Sequence, residues 1–178
     1  MWGMALFLCA ETMLFGGLIS SYFYLRLRAS HWPPAGVADP PVLQPAILTA
    51  VLVASTVPVA LASRRAREGE LRGTIAMIAL ATVLQCGYLG YQLHQLVAEL
   101  HILHPQASAY ASAYVALVGF HHAHVLVGIL LGLGLLVWLA VSGLSEYRVT
   151  GVRAFALYWY VVNLIALAVL FTEISPSI

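Results

Sequence analysis

The chain has 178 residues, of which 62% are hydrophobic and 8% are charged, and its mean hydropathy is +0.92. A water-soluble domain carries about 25% charged residues, so the composition excludes one and indicates a polytopic membrane protein. The formal net charge of +1 gives no electrostatic footprint for nucleic acid, and all eight basic residues are arginine.

Five apolar spans are predicted, over residues 2–25, 43–62, 73–97, 112–141 and 154–173. Each approaches or exceeds the ~20 residues that a helix needs to cross a hydrocarbon core. No low-complexity tract or internal repeat interrupts them. They form one all-α domain over residues 1–178, a bundle of transmembrane helices. Arg64, Arg65, Arg67 and Arg72 follow the second span, and Arg148 and Arg153 follow the fourth. The loops on the other side carry Arg26 and Arg28. The positive-inside rule then predicts the N-terminus inside and the C-terminus outside. The first span lacks a basic n-region and a small-residue cleavage site, so it is expected to stay as a helix.

That first span holds one acid, Glu11, near its middle and no base beside it. An ionised carboxylate at that depth costs roughly 2.5–3.5 kcal/mol even on the lenient insertion scale. Glu11 is therefore expected to be protonated, or turned inward and hydrogen-bonded. Cys9 and Cys86 both fall inside apolar spans without a paired-Cys or haem-attachment motif, and read as small core residues.

The loop after the first span contains His31-Trp32-Pro33-Pro34-Ala35-Gly36, an extended or turning path with Trp32 suited to the interfacial belt. Pro58 is expected to kink or fray the second span. The third gathers Gln85, Gln92, His94 and Gln95 in one half, with Gly87 and Gly90 allowing close approach, so its polar groups are expected to hydrogen-bond to neighbouring helices. Glu99, His101 and His104 read as solvated loop residues.

The fourth span opens with Gly119-Phe120-His121-His122-Ala123-His124-Val125 and contains Gly128-x-x-x-Gly132, a spacing that lets helix backbones touch. His121 and His124 stand three apart and share a face, while His122 points elsewhere. Structural, lipid-binding and acid-pairing roles are open to them. So is haem ligation, for which His94 is the one candidate second ligand within a span. In the fifth span Tyr158-Trp159-Tyr160 reads as an interfacial anchor near the inner end, with Asn163 as the polar interior residue.

Taken together these residues resemble subunit III of the haem-copper respiratory oxidases. Leu6-Phe7-Leu8-Cys9-Ala10-Glu11-Thr12-Met13-Leu14-Phe15 resembles the helix whose mid-membrane glutamate is that family's best-known residue. Trp32-Pro33-Pro34-x-Gly36 resembles the loop that follows it. Gly119-Phe120-His121-x-x-His124-Val125 is similar to a Gly-Phe-His-Gly-x-His-Val motif, and Tyr158-Trp159 to the start of Tyr-Trp-His-Phe-Val-Asp. Tyr160 stands where the family has His, Asn163 where it has Asp, Arg153 at a usual Glu, Gln95 at the Glu of a Gln-x-x-Glu-Tyr pattern, and Ala166 at a bulky Trp.

The resemblance implies a non-catalytic accessory subunit in a bacterial-type inner membrane, packed on subunit I and beside subunit II. It also implies bound phospholipid and support of sustained oxygen reduction and proton uptake. Haem and copper are expected in the partner subunits, with no cofactor, metal ligand or catalytic residue in this chain. Longer family members carry two further helices at the front, and partner helices are expected to take their place here. Glu11 is the expected buried acid. His121, His124, Gln92, His94, Trp32 and Trp159 are its candidate partners or lipid-headgroup contacts, and Gly128 and Gly132 are helix-packing positions. Subunit III of a quinol oxidase and the related small subunit of nitric oxide reductases are alternative readings within the same class. A haem b membrane anchor and a small transporter are readings from other classes.

Overall fold

A computed structural model of the chain describes residues 2–34, 37, 42–101 and 103–175. The helices are α1 (Trp2–Arg28), α2 (Leu43–Ala54), α3 (Thr56–Arg67), α4 (Leu71–Leu100), α5 (Ala109–Ser142) and α6 (Glu146–Ile174). No strand occurs among the described residues. Helices α2 and α3 are the two halves of one apolar unit, so among the described residues five units are long and apolar enough to cross a membrane. Gly36 of the Trp-Pro-Pro-x-Gly stretch lies outside the described residues.

The helices extend past the predicted spans because hydropathy marks lipid, whereas the backbone stops at a cap. Helix α6 begins at Glu146, well before the predicted start at 154, where the Ser145 hydroxyl accepts from the Arg148 N–H at 3.4 Å. Helix α5 begins at Ala109, where the Ser108 hydroxyl accepts from the Ala111 N–H at 3.1 Å. Its far end is closed by Gly143 at φ 73°, whose N–H donates to the Leu139 carbonyl at 2.9 Å. A glycine suits that left-handed stop because it has no Cβ to clash.

The second unit breaks at Ser55. Pro58 supplies no N–H to the carbonyl one turn earlier, so the ladder opens there. The Ser55 hydroxyl turns back onto the Leu52 carbonyl at 2.5 Å.

Helix α6 occupies the centre, touching α1, α2, α3 and α5. Helix α4 lies against α2, α3 and α5, and α1 reaches α5 and α6. Trp159 is wholly buried in the middle of this arrangement, and Tyr158 is buried beside it. The predicted interfacial anchor is thus corrected: Tyr158 and Trp159 lie on the inward face of α6 and pack within the bundle, while Tyr160 stays exposed. The Trp159 indole N–H donates to the Ser55 hydroxyl at 2.8 Å, and the Asn163 amide to Thr56 at 2.6 Å. Two bonds from α6 therefore clasp the break between α2 and α3.

Gly128 makes room for that indole. A Cβ built there would lie 2.5 Å from a Trp159 ring carbon, and one at Gly132 would lie 2.9 Å from the Thr82 hydroxyl. The glycine pair thus receives side chains of α6 and α4 rather than a second backbone. Gly87 and Gly90 face open space, so the expected close approach on α4 does not occur. Cys9 and Cys86 are exposed on the outer surface instead of sitting in the core.

Substituting Gly128→Val is expected to push Trp159 off Ser55 and to destabilise the bundle by about 1–3 kcal/mol, the usual range for overpacking a filled core. Thermal unfolding in detergent, followed by tryptophan fluorescence, measures it. Gly87→Ala, in open space, serves as the comparison and is expected to change little.

Candidate functional site

Helix α1 meets the bundle along a narrow seam. Leu8, Phe15 and Tyr22 are buried at intervals of seven residues, with Met4 partly buried one turn ahead of Leu8 and Leu18 partly buried between Phe15 and Tyr22. A four–three spacing of this kind keeps one stripe of a helix against its neighbours. Glu11 falls on the same stripe, three residues after Leu8 and four before Phe15, so its carboxyl is carried towards α5 and α6. The side chain keeps 21% of its exposure.

Across the seam, α5 presents His124. Its Nε2 lies 2.7 Å from Glu11 Oε2, and its Nδ1 lies 2.7 Å from the Phe120 carbonyl oxygen one turn earlier. The ring is 15% exposed and receives the edge of Phe15, with centroids 5.1 Å apart. Tyr158 of α6 donates its hydroxyl to the His124 carbonyl at 2.8 Å, which ties three helices to one residue.

The two short contacts on His124 count its protons. A carbonyl oxygen can only accept, so Nδ1 carries a hydrogen and donates it to Phe120. Nε2 then either accepts from a protonated Glu11 or, as imidazolium, donates to the Glu11 carboxylate. Both forms hold a single proton between Nε2 and Oε2, and both leave the pair with zero net charge. A zero net charge avoids the cost of a lone carboxylate at membrane depth. Of the candidate partners for Glu11, this geometry brings His124 to it.

The other candidates lie elsewhere. His121 is 2% exposed and His122 4%, and none of their four ring nitrogens has a hydrogen-bond partner. His122 turns toward α4: its ring lies 6.1 Å from that of His121 and 6.3 Å from that of Tyr88. Gln92 donates to the Tyr88 hydroxyl at 3.3 Å on its own helix, and His94 is exposed. His94 thus does not face His121 as a haem pair across α4 and α5 would require. Gln85 is fully buried with both amide atoms unpartnered, so the expected hydrogen bond to a neighbouring helix is not made. Trp32 folds its loop back onto the bundle, its indole N–H donating to Tyr22 at 3.0 Å and its ring 5.1 Å from that of Tyr110. Among the described residues, no three His, Cys, Asp or Glu side chains converge as a metal site would require.

One constellation was not legible. The Tyr114 hydroxyl of α5 lies 3.0 Å from Glu99 Oε2 on α4 and 3.0 Å from Glu173 Oε1 on α6. Glu99 is thus drawn onto the bundle instead of being solvated. The hydroxyl has one hydrogen to give, so the second bond forms when the other carboxyl carries a proton of its own. The three residues are 15 and 59 positions apart, and no local spacing announces them.

Glu11→Gln is expected to preserve the fold, since an amide N–H can donate to Nε2 as a carboxylic acid does, and to abolish carbodiimide labelling at that position. Glu11→Leu leaves Nε2 without a partner and is expected to cost about 1–3 kcal/mol. Peptide mapping after labelling and thermal unfolding of the three proteins check both statements, and unchanged labelling in the Gln variant would refute a reactive acid there.

A family model described as cytochrome c oxidase subunit III matches residues 1–175. Cytochrome c oxidase subunit 3 of Thermostichus vulcanus is 28% identical over 96% of this chain and 83% of its own length. Quinol oxidase subunit 3 of Bacillus subtilis is 28% identical over 92% of the chain and 80% of its own length. Cytochrome c oxidase subunit 3 of Rhizopus stolonifer is 31% identical over 92% of the chain and 59% of its own length. A match over nearly every residue, together with five apolar helices, makes this a multi-pass membrane protein that belongs to the cytochrome c oxidase subunit III family.

Proposed function

We propose that this chain is the non-catalytic accessory subunit III of a haem-copper terminal oxidase, packed on subunit I and beside subunit II in a bacterial-type inner membrane. The observation that carries the reading is the family match over residues 1–175. The Glu11–His124 pair supports it from within, because the acid and the imidazole that meet at 2.7 Å belong to two of the stretches on which the resemblance rests. The haems and copper of the reaction belong to the partner subunits. This chain's part is to keep the complex active over many turnovers of oxygen reduction and proton uptake. The arginine-rich loops support an inside position for the N-terminus and an outside position for the C-terminus.

Two surface features support bound phospholipid. An apolar groove of about 320 Å³ runs between α5 and α6, lined by Met4, Leu130, Leu135, Trp138 and Phe155, and suits an acyl chain. At the arginine-rich end, an open depression of about 450 Å³ lies beside Arg67, Ser145, Glu146, Thr150 and Arg153, where the two guanidinium groups outnumber the one carboxylate and suit a headgroup phosphate. Along α1, Leu6, Met13 and Leu27 are exposed outside the seam. We assign that face to helices of a partner subunit.

A second reading, subunit III of a quinol oxidase, is favoured by the 28% identity to the Bacillus subtilis protein. The two differ in electron donor and share every role assigned here.

An affinity tag on this chain is expected to recover a complex with haem and copper spectra. A complex prepared without the chain is expected to keep those spectra and its initial rate, and then to lose activity progressively during continuous turnover. Recovery of the chain alone, or a haem spectrum from the isolated polypeptide, would contradict the reading.

A further inference from the structure

The Glu99–Tyr114–Glu173 constellation has no part in the role proposed above. Glu99 is the last residue but one of α4 and Glu173 the last but one of α6, while Tyr114 stands in the second turn of α5. Among the described residues α4 and α6 do not pack against each other, so Tyr114 of α5 bridges their ends. It is 5% exposed, and its hydroxyl lies 3.0 Å from a carboxyl oxygen on each side. The ring sits in a small apolar cluster with Leu117, Ile165 and Val169, separate from the larger cluster around Trp159. Leu96 and Leu103 fold onto that small cluster from either side of Glu99, and the Leu103 N–H donates to the Glu99 carbonyl at 2.6 Å. The start of the α4–α5 turn is thereby seated over Tyr114.

The hydroxyl brings one hydrogen to two acceptors. With both carboxyls ionised, it donates to one and turns its lone pairs towards the other, and two like charges meet across a single oxygen. With one carboxyl protonated, the acid donates to the phenol oxygen and the phenol donates to the remaining carboxylate, so both contacts become hydrogen bonds. The surroundings favour that proton. Each carboxyl stands in the last turn of its helix, where the negative end of the dipole opposes an anion and no basic residue offsets it. Helix α2 carries no charged residue. Helix α1 brings Arg26, Arg28 and the buried Tyr22; α4 brings Tyr88, whose hydroxyl is engaged by Gln92; and α5 brings Tyr110, stacked on Tyr114 at 6.0 Å. His31, His94, His101 and His104 are exposed around the same end. Among the described residues the ion pairs are Arg64–Glu68, Arg65–Glu70 and His124–Glu11, so no base pairs with Glu99 or Glu173.

We infer that Glu99, Tyr114 and Glu173 form a one-proton clasp that fastens the α4–α5 turn to the end of α6 at acid and neutral pH and lets go at alkaline pH. Both carboxyls are half-buried at helix ends, so the proton exchanges with water at the rim of the bundle. The clasp's contribution to stability is complete at low pH, where at least one carboxyl is protonated, and is lost as pH rises and the last proton leaves. A second proton at low pH keeps it closed, because one acid donates to the phenol and the phenol donates to the carbonyl oxygen of the other. On the orientation proposed above this end is the outer one, and the clasp then follows the acidity of the outer compartment. Its chemistry is the same on either side.

Hydrogen–deuterium exchange of peptides spanning residues 103–112 tests the clasp, on the chain as isolated from the membrane with its partners, at about pH 6 and about pH 9. The parent is compared with Glu173→Gln at equal pH, which cancels the intrinsic effect of hydroxide on exchange. The glutamine amide donates to the Tyr114 oxygen at either pH while Tyr114 donates to Glu99, so this variant stays closed without the proton. The two proteins are expected to exchange alike at the lower pH. At the higher pH the parent is expected to exchange faster by about tenfold or more, the effect of losing one hydrogen bond to a charged group. Tyr114→Phe, which has no hydroxyl, is expected to exchange fast at both. A ratio of parent to Glu173→Gln that is the same at the two pH values would overturn the inference and leave an ordinary structural contact. Where Glu173→Gln fails to assemble, Glu99→Gln places the amide on the other arm, with the same expected and overturning results.

Discussion

The bond between Glu11 and His124 is the interaction on which the rest of the structure depends. An acid in the middle of an apolar helix must be neutralised, hydrogen-bonded or both, because lipid offers it nothing. Here a single proton held between Nε2 and Oε2 meets both demands. The Phe120 carbonyl fixes the ring by taking the Nδ1 hydrogen. That constraint dictates where α1 can lie: its seam of Leu8, Glu11, Phe15 and Tyr22 has one register against α5 in which the carboxyl finds the ring. The apolar contacts of the seam are tolerant of sliding, whereas the 2.7 Å bond is not.

The remaining helices are organised so that this register is held from behind. Tyr158 grips the His124 carbonyl, and its neighbour Trp159 fills the space left by Gly128 and bonds to Ser55. Consecutive residues of α6 thereby couple the acid pair on one side to the broken α2–α3 unit on the other. The same glycine that admits the indole would, with any side chain, force it out. Membrane helices gain little from apolar burial against each other, so close fit and hydrogen bonds of this kind carry more of the specificity than they would in water.

Five apolar spans and the acid on α1 were legible in the sequence, because composition and a lone charge in an apolar run are local signals. His124 was legible as a candidate but not separable from His121, since three-residue spacing puts both on one face and does not say which turn meets α1. The exact ends of the helices were not legible from hydropathy, which ignores the Ser108 and Ser145 caps. Which face of α6 turns inward was not legible either, and Tyr158 and Trp159 lie inside the bundle. Glu99 was misjudged for a different reason: its bond to Tyr114 and, through it, to Glu173 joins three helices that come together only in the folded bundle. Gly87 and Gly90 illustrate the converse, in that small residues permit close contact without requiring it.

Within the oxidase assembly proposed for this chain, a pair that is neutral in both of its proton arrangements can sit at membrane depth without a counter-ion and still exchange protons. Nitrogen NMR of the histidine-labelled complex, with His124 assigned through His124→Gln, tests this most directly. The account predicts a protonated Nδ1 on His124 and an Nε2 that shares its proton with Glu11. A bare Nδ1 with the hydrogen fixed on Nε2 would contradict it, because the ring could then make no bond to the Phe120 carbonyl.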